Sequence, residues 1–152
     1  MNTKELKLAL LQECSRIVEE RFHRVKKTIS DIETSLYEES KSSAGDKHET
    51  ERAMLQIERE NAGKQLIEVE KVQQILHRID VNISSKFAHL GSLVYTTHGT
   101  YLISVSIGSI VIDSINYFAV APDSPIGHLL IGKQEGERFT FNDREYELTK
   151  VR

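Results

Sequence analysis

The chain has one cysteine, two prolines and no tryptophan in its 152 residues, and aromatic residues make up only 7%. A lone Cys14 cannot close an internal disulfide, so burial and hydrogen bonding must hold the fold together. No uninterrupted apolar run approaches the roughly 18 residues that span a bilayer, and the first residues lack the apolar centre of a secretory leader. The expectation is a soluble, cytoplasmic protein with no membrane partner. Excess charge of one sign is missing too: 20 Lys and Arg stand against 23 Asp and Glu, a formal charge of −3. That excludes a surface basic all round and confines any contact with nucleic acid to local patches. The length allows one ordinary domain or two small ones and excludes a large multidomain enzyme. GxSxG, GxGxxG, HExxH, CxxC and the phosphate-binding loop are all absent, which removes the motif-bearing hydrolases, nucleotide binders and redox proteins. The six histidines are dispersed, so a metal site built of histidines alone is not expected.

What is present divides in two near Ser85. Through residue 85 there is no proline, and the glycines are Gly45 and Gly63, a composition suited to helix. Val18, Phe22, Val25, Ile29, Ile32 and Leu36 alternate at spacings of four and three, the seam of a coiled coil, and Leu8 and Leu11 extend it backwards. A second seam runs through Val69, Val72, Leu76, Ile79 and Ile83, with looser apolar positions at Met54 and Ile57 before it. Between them SKSSAGDK (residues 40–47) supplies small and polar residues for a reversal. Residues 1–85 are therefore expected to form a long antiparallel coiled-coil hairpin with an acidic tip near residues 44–49. Its first helix, from about Lys4 to Glu39, would run roughly 50 Å at 1.5 Å per residue and present its tip to a partner. Cys14 falls in an apolar helical pattern, where a buried, inert thiol is expected.

Residues 86–152 turn to Val, Ile, Tyr, Phe and Thr and carry the remaining six glycines, the composition of a small α+β unit. A strand is expected at Leu93 to Thr97, followed by a run with Tyr101, Ile103, Val105 and Ile107 on one face. Gly108-Ser109 fits a two-residue hairpin turn, and Ile110 to Ile112 with Ile115 to Val120 continue the sheet. Ser124 offers a helix N-cap, Pro125 the first helical position and Gly132 a stop. Two last strands, with Phe139 and Phe141 in one and Tyr146 and Leu148 in the other, flank an Asn142-Asp143 turn.

Few residues could carry chemistry. Asp46 and Glu49, three apart, share one face if the second helix starts there, and two carboxylates so placed supply half of a magnesium site. The same spacing suits a capping box, with the acids favouring the helix dipole. Arg21, Arg24 and Lys27, with Lys26 beside them, could touch a phosphate backbone or could simply solvate the outer face of a helix.

Three segments together resemble the Gre family of bacterial transcript-cleavage factors. DSPIGHLLIGKQEGERF (123–139) is similar to the family's Ser-Pro helix followed by Gly-Lys and an acidic turn, and REYELTKV (144–151) resembles its last strand. AGDKHE (44–49) is similar to the family's Gly-Asp-x-x-Glu tip. The resemblance implies an FKBP-like fold for residues 86–152 and RNA polymerase as the partner, engaged through its secondary channel; mixed charges on both helices argue for a monomer. It implies that Asp46 and Glu49 are the catalytic acids, sharing Mg²⁺ with the polymerase and holding none stably in the isolated chain. It also implies that Asp123, Ser124 and Pro125 dock on the polymerase, and that a backtracked nascent RNA is cut near its 3′ end by the polymerase's own activity, so that the chain alone is not an enzyme. Arg21, Arg24 and Lys27 are candidate contacts to that RNA.

Where the family continues Asn-Ala-Glu-Tyr after the second acid, this chain has Thr50, Glu51, Arg52 and Ala53. The alternative function is therefore a regulator that occupies the channel without stimulating cleavage. Whether Glu38, Glu39 or Glu51 joins the tip acids is left open. Prolyl isomerisation, suggested by analogy with FKBP-like folds, is disfavoured by the absence of tryptophan and of an evident aromatic pocket.

Overall fold

The computed structural model describes residues 1–41 and 45–152, except for the side chain of Asp46. Two long helices, α1 (Thr3–Ser40) and α2 (Asp46–Arg78), precede strands β1 (Leu93–Thr96), β2 (Gly99–Ile103), β3 (Gly108–Ile112) and β4 (Ile115–Val120). A short helix α3 (Pro125–Leu130) and strands β5 (Arg138–Phe141) and β6 (Arg144–Val151) complete an α+β chain. It forms two compact units, one of Met1–Ile17 with Gln74–Arg152 and one of Val18–Gln73. No helix among the described residues is long and apolar enough to cross a membrane.

In the first unit six strands lie in the order β3-β4-β2-β1-β6-β5. Neighbours are antiparallel except β2 and β4, which run parallel. Alternation along the strands puts Val94, Tyr101, Ile103, Tyr146 and Leu148 into one core with Ile126 and Leu130 of α3. Leu93 and Leu102, directly paired on β1 and β2, belong to the opposite parity and are also 0% exposed, so both faces of the sheet centre are covered. The opening turns of α1 bury Leu6, Leu10 and Cys14, one row at four-residue spacing. The Cys14 thiol hydrogen-bonds Ser104 beyond the end of β2, and its burial pushes its pKa up to about 11.

This row corrects the expected seam. Leu8 is 41% exposed because it sits two residues, about 200° of helical turn, away from Leu6. The hairpin turn expected at Gly108-Ser109 is also displaced. Gly108 opens β3 and pairs with Ala119, and the reversal into β4 falls at Asp113-Ser114, after the pair Ile112–Ile115. Both turn residues adopt the positive φ that a two-residue turn of this hand needs, 49° and 65°. Residues 104–107 instead carry the chain from β2 to the sheet edge, leaving room for β4 to pair parallel with β2. The Asn142-Asp143 turn lies where the sequence places it, with φ of 49° and 61° between Phe141 and Arg144.

In the second unit α1 and α2 run antiparallel. Gln73 donates to Glu19 at 2.9 Å and Arg59 to Glu33 at 3.1 Å, so the partners advance in opposite directions along the two helices. Ile29, Ile32 and Ala62 form the buried centre, flanked by Val25, Leu36, Leu55 and Leu66. On α2 the seam is therefore Leu55, Ala62 and Leu66, rather than Met54 and Ile57, which are each 58% exposed. Ala62 passes unnoticed in a search for large apolar residues, yet it is buried in one cluster with Ile29 and Ile32 of α1. The seam does not extend to Ile83 either: α2 ends at Arg78, and Ile83 is 56% exposed.

Candidate functional site

The turn between α1 and α2 carries the first candidates. Asp46 is the opening residue of α2; its side chain, and Ala44 within the tip segment, lie outside the described residues. Glu49 stands in the first turn of α2 and is exposed, so its carboxylate is open to solvent and to any partner. The His48 amide donates to the Gly45 carbonyl at 3.1 Å, which closes the backbone at the start of α2.

Beside Glu49 the helices bring together a group that the sequence does not connect. Glu39, next to last in α1, has a carboxylate oxygen 2.9 Å from His48 Nδ1 on α2. Glu51 lies one turn further along α2, and one ligand-capable atom from each of Glu39, His48 and Glu51 falls within 4.8 Å of the other two. All three side chains are half-buried. The His48-x-x-Glu51 spacing is legible as one helix face. Glu39 is added only by the antiparallel return of the chain. Glu38, the other acid left open, is exposed and is not a member of this group.

Further along the second unit, Arg21 and Arg24 line an open groove of about 590 Å³ together with Val25, Thr28, Lys64 and Glu68. Arg21 and Arg24 are thus brought together as their three-residue spacing suggests, and Lys64 from α2 joins them. Lys27 does not line the groove; its ammonium pairs with Asp31 at 3.1 Å, one turn ahead on the same helix. Glu68 on the groove wall partly offsets the positive charge.

In the first unit Ser124 caps α3. Its backbone is extended (φ −69°, ψ 158°), its hydroxyl accepts from the Gly127 amide at 3.1 Å, and the same hydroxyl donates to the Ala121 carbonyl at 2.7 Å. Pro125 then occupies the first helical turn, where its missing N–H costs nothing. Gly127 is fixed by contact rather than by conformation: a Cβ there would sit 2.0 Å from the Ala121 carbonyl oxygen. The result is a tightly held corner that leaves Asp123 and Pro125 exposed. The sequence reading of Ser124 and Pro125 as a helix start is correct, and this structural duty leaves Pro125, with Asp123, open to a partner.

No protein-family model matches the sequence, and no curated protein matches it. Among solved structures the chain is similar to that of the transcription factor Gfh1, at 17% identity over 90% of this chain and 91% of the other, with a TM-score of 0.35. A superposition at that score establishes neither fold nor activity.

Proposed function

We propose that this chain is a cytoplasmic transcription elongation factor that binds RNA polymerase through its secondary channel and stimulates the polymerase to cleave backtracked RNA. The observation that carries the reading is an exposed Glu49 in the first turn of α2, three residues after Asp46, at the turn of an antiparallel helical pair. The resemblance of residues 44–49 and 123–139 to the Gre family gives that placement its meaning. The corner capped by Ser124, with Asp123 and Pro125 exposed, supports a docking role for Asp123, Ser124 and Pro125, and residues 86–152 are read as the FKBP-like domain that carries it.

Carboxylate oxygens suit a hard cation that keeps part of its water shell. Asp46 and Glu49 would hold Mg²⁺ only together with polymerase ligands, and the bound ion would supply an activated water for phosphodiester hydrolysis. The chain's own part is to deliver the acids and hold them in place. Two carboxylates cannot fix both nucleophile and leaving group, which is why the activity belongs to the complex rather than to this monomer. Arg21 and Arg24, with Lys64 across their groove, provide a modest basic patch for the nascent RNA.

The test is cleavage of backtracked RNA in reconstituted complexes with the wild-type chain and an Asp46→Ala, Glu49→Ala double variant. Shortening of the RNA 3′ end by wild type, lost in the variant while binding persists, is the expected result. Binding without added cleavage by wild type would make the chain a channel-occupying regulator. Equal cleavage by the two proteins would remove the acids from the mechanism.

A further inference from the structure

We propose that Glu39, His48 and Glu51 form a binding site for one borderline divalent cation of the Zn²⁺ type, which clasps the end of α1 to the start of α2. The site uses neither Asp46 nor Glu49 and does not rest on a role in transcription. Its donors are one imidazole nitrogen and two carboxylate oxygens, drawn from two helices and mutually within 4.8 Å. In a tetrahedral zinc site with bonds of about 2.0–2.1 Å, neighbouring donors stand about 3.3 Å apart. Glu39 and His48, at 2.9 Å, are already near that separation. Glu51 needs only a side-chain rotation of the kind a half-buried glutamate allows, and water would complete the fourth position.

Charge argues in the same direction. Glu39 and Glu51 bring two carboxylates to one half-buried spot, and among the described residues neither has an ion pair with a lysine or arginine. His48 Nδ1 or Nε2 lies within 4.8 Å of a carboxylate oxygen of each. A dication satisfies the pair at once, whereas a histidine–glutamate hydrogen bond leaves the second carboxylate unbalanced. The donor set also discriminates: imidazole with carboxylate favours zinc and its transition-metal neighbours, while Mg²⁺ and Ca²⁺ prefer oxygen donors throughout. Because the ligands lie on both sides of the reversal, an ion bound here stabilises the helical pair at the end carrying Glu49.

Zn²⁺ titration of the full chain by calorimetry, with Co²⁺ as a spectroscopic stand-in, tests the site. One ion per chain is expected, with visible Co²⁺ absorption typical of four-coordination and a rise in melting temperature on adding Zn²⁺. His48→Gln and Glu51→Gln, both at partly exposed positions, should each weaken binding by more than about tenfold, a loss that even supporting residues of metal sites produce. His23→Gln, on the exposed side of α1, serves as the control and should bind as wild type does. Absence of saturable Zn²⁺ binding overturns the proposal. So does binding that survives His48→Gln with unchanged affinity, or that is lost in the His23 control.

Discussion

The two units bury their side chains in different ways. In the unit containing the sheet, Leu93, Val94, Leu102, Ile103 and Leu130 are all 0% exposed, and strands, α3 and the opening of α1 enclose them from several directions. In the helical unit its first residue, Val18, is 1% exposed, and along the rest of the seam the buried side chains are Ala62, Ile32 and Ile29, at 4%, 7% and 8%, flanked by the half-buried Val25, Leu36, Leu55 and Leu66. A sheet covered on both faces makes a core with depth, whereas two helices alone make only a seam. The difference sets what each unit can tolerate: the sheet unit resists change at its centre, and the helical unit is free to place charged groups over nearly all of its surface.

The largest expected effect follows from that contrast. Leu102→Ala removes a fully enclosed side chain and should cost about 4 kcal/mol, because its neighbours on the sheet cannot collapse into the space. Ile32→Ala, in the centre of a narrow seam whose flanking residues are only half-buried, should cost about 2 kcal/mol. Urea unfolding followed by far-ultraviolet circular dichroism measures both, and hydrogen exchange assigns the loss to β2 or to α1. Equal costs would mean that the helical seam is as tightly enclosed as the sheet, and the contrast would fail.

The same contrast explains what could be read from the residues. Helix, strand and α+β class were legible because proline and glycine are scarce before residue 85 and β-branched residues dominate after it. Seam positions were legible where large apolar residues recur, as at Val25, Ile29, Ile32 and Leu36. They were misread where the buried residue is small, as with Ala62, or where a different layer takes the side chain, as with Leu6 and Leu10 in place of Leu8, whereas Cys14 is buried as its apolar setting predicts. Gly108-Ser109 has the residue types of a turn, but the parallel pairing of β2 with β4 decided where the chain reverses, and parallel pairing is a long-range fact that no local pattern carries. At the candidate site, Glu39 and Glu51 were open candidates beside the tip acids, and neither was linked to His48. Glu39 joined His48 and Glu51 only through the return of the chain, and Lys64 joined Arg21 and Arg24 in the same way.

A middle-sized effect separates the units by pH. Cys14 titrates near 9.0 when unfolded and at about 11 when buried, so the folded state keeps a proton that the unfolded state loses. Stability from this group is complete below pH 9 and falls as pH rises toward 11, by on the order of 2 kcal/mol for a shift of this size. Lysines and tyrosines titrate in the same window, so the informative quantity is a difference: Cys14→Ala should flatten the alkaline fall in unfolding free energy relative to wild type. Hydrogen exchange should place the effect in the sheet unit. An unchanged slope would show that the thiol is not enclosed as its zero exposure implies.

The smallest effect belongs to the helical unit and should respond to salt rather than to pH. Arg59 and Glu33 join the two helices across the seam at 3.1 Å, but their side chains are 38% and 57% exposed, so water and ions screen the pair. A double-mutant cycle with Arg59→Ala and Glu33→Ala should give a coupling of about 0.5 kcal/mol at low ionic strength, shrinking toward zero in 1 M salt. The core variant Leu102→Ala should keep its cost across the same range, since removing a buried hydrocarbon leaves no charge to screen. A coupling that persists in high salt would mean that Arg59 acts through its aliphatic stem packed along the seam. The helical unit would then owe part of its stability to side chains counted as surface, and its line of burial would be wider than Ile29, Ile32 and Ala62 suggest.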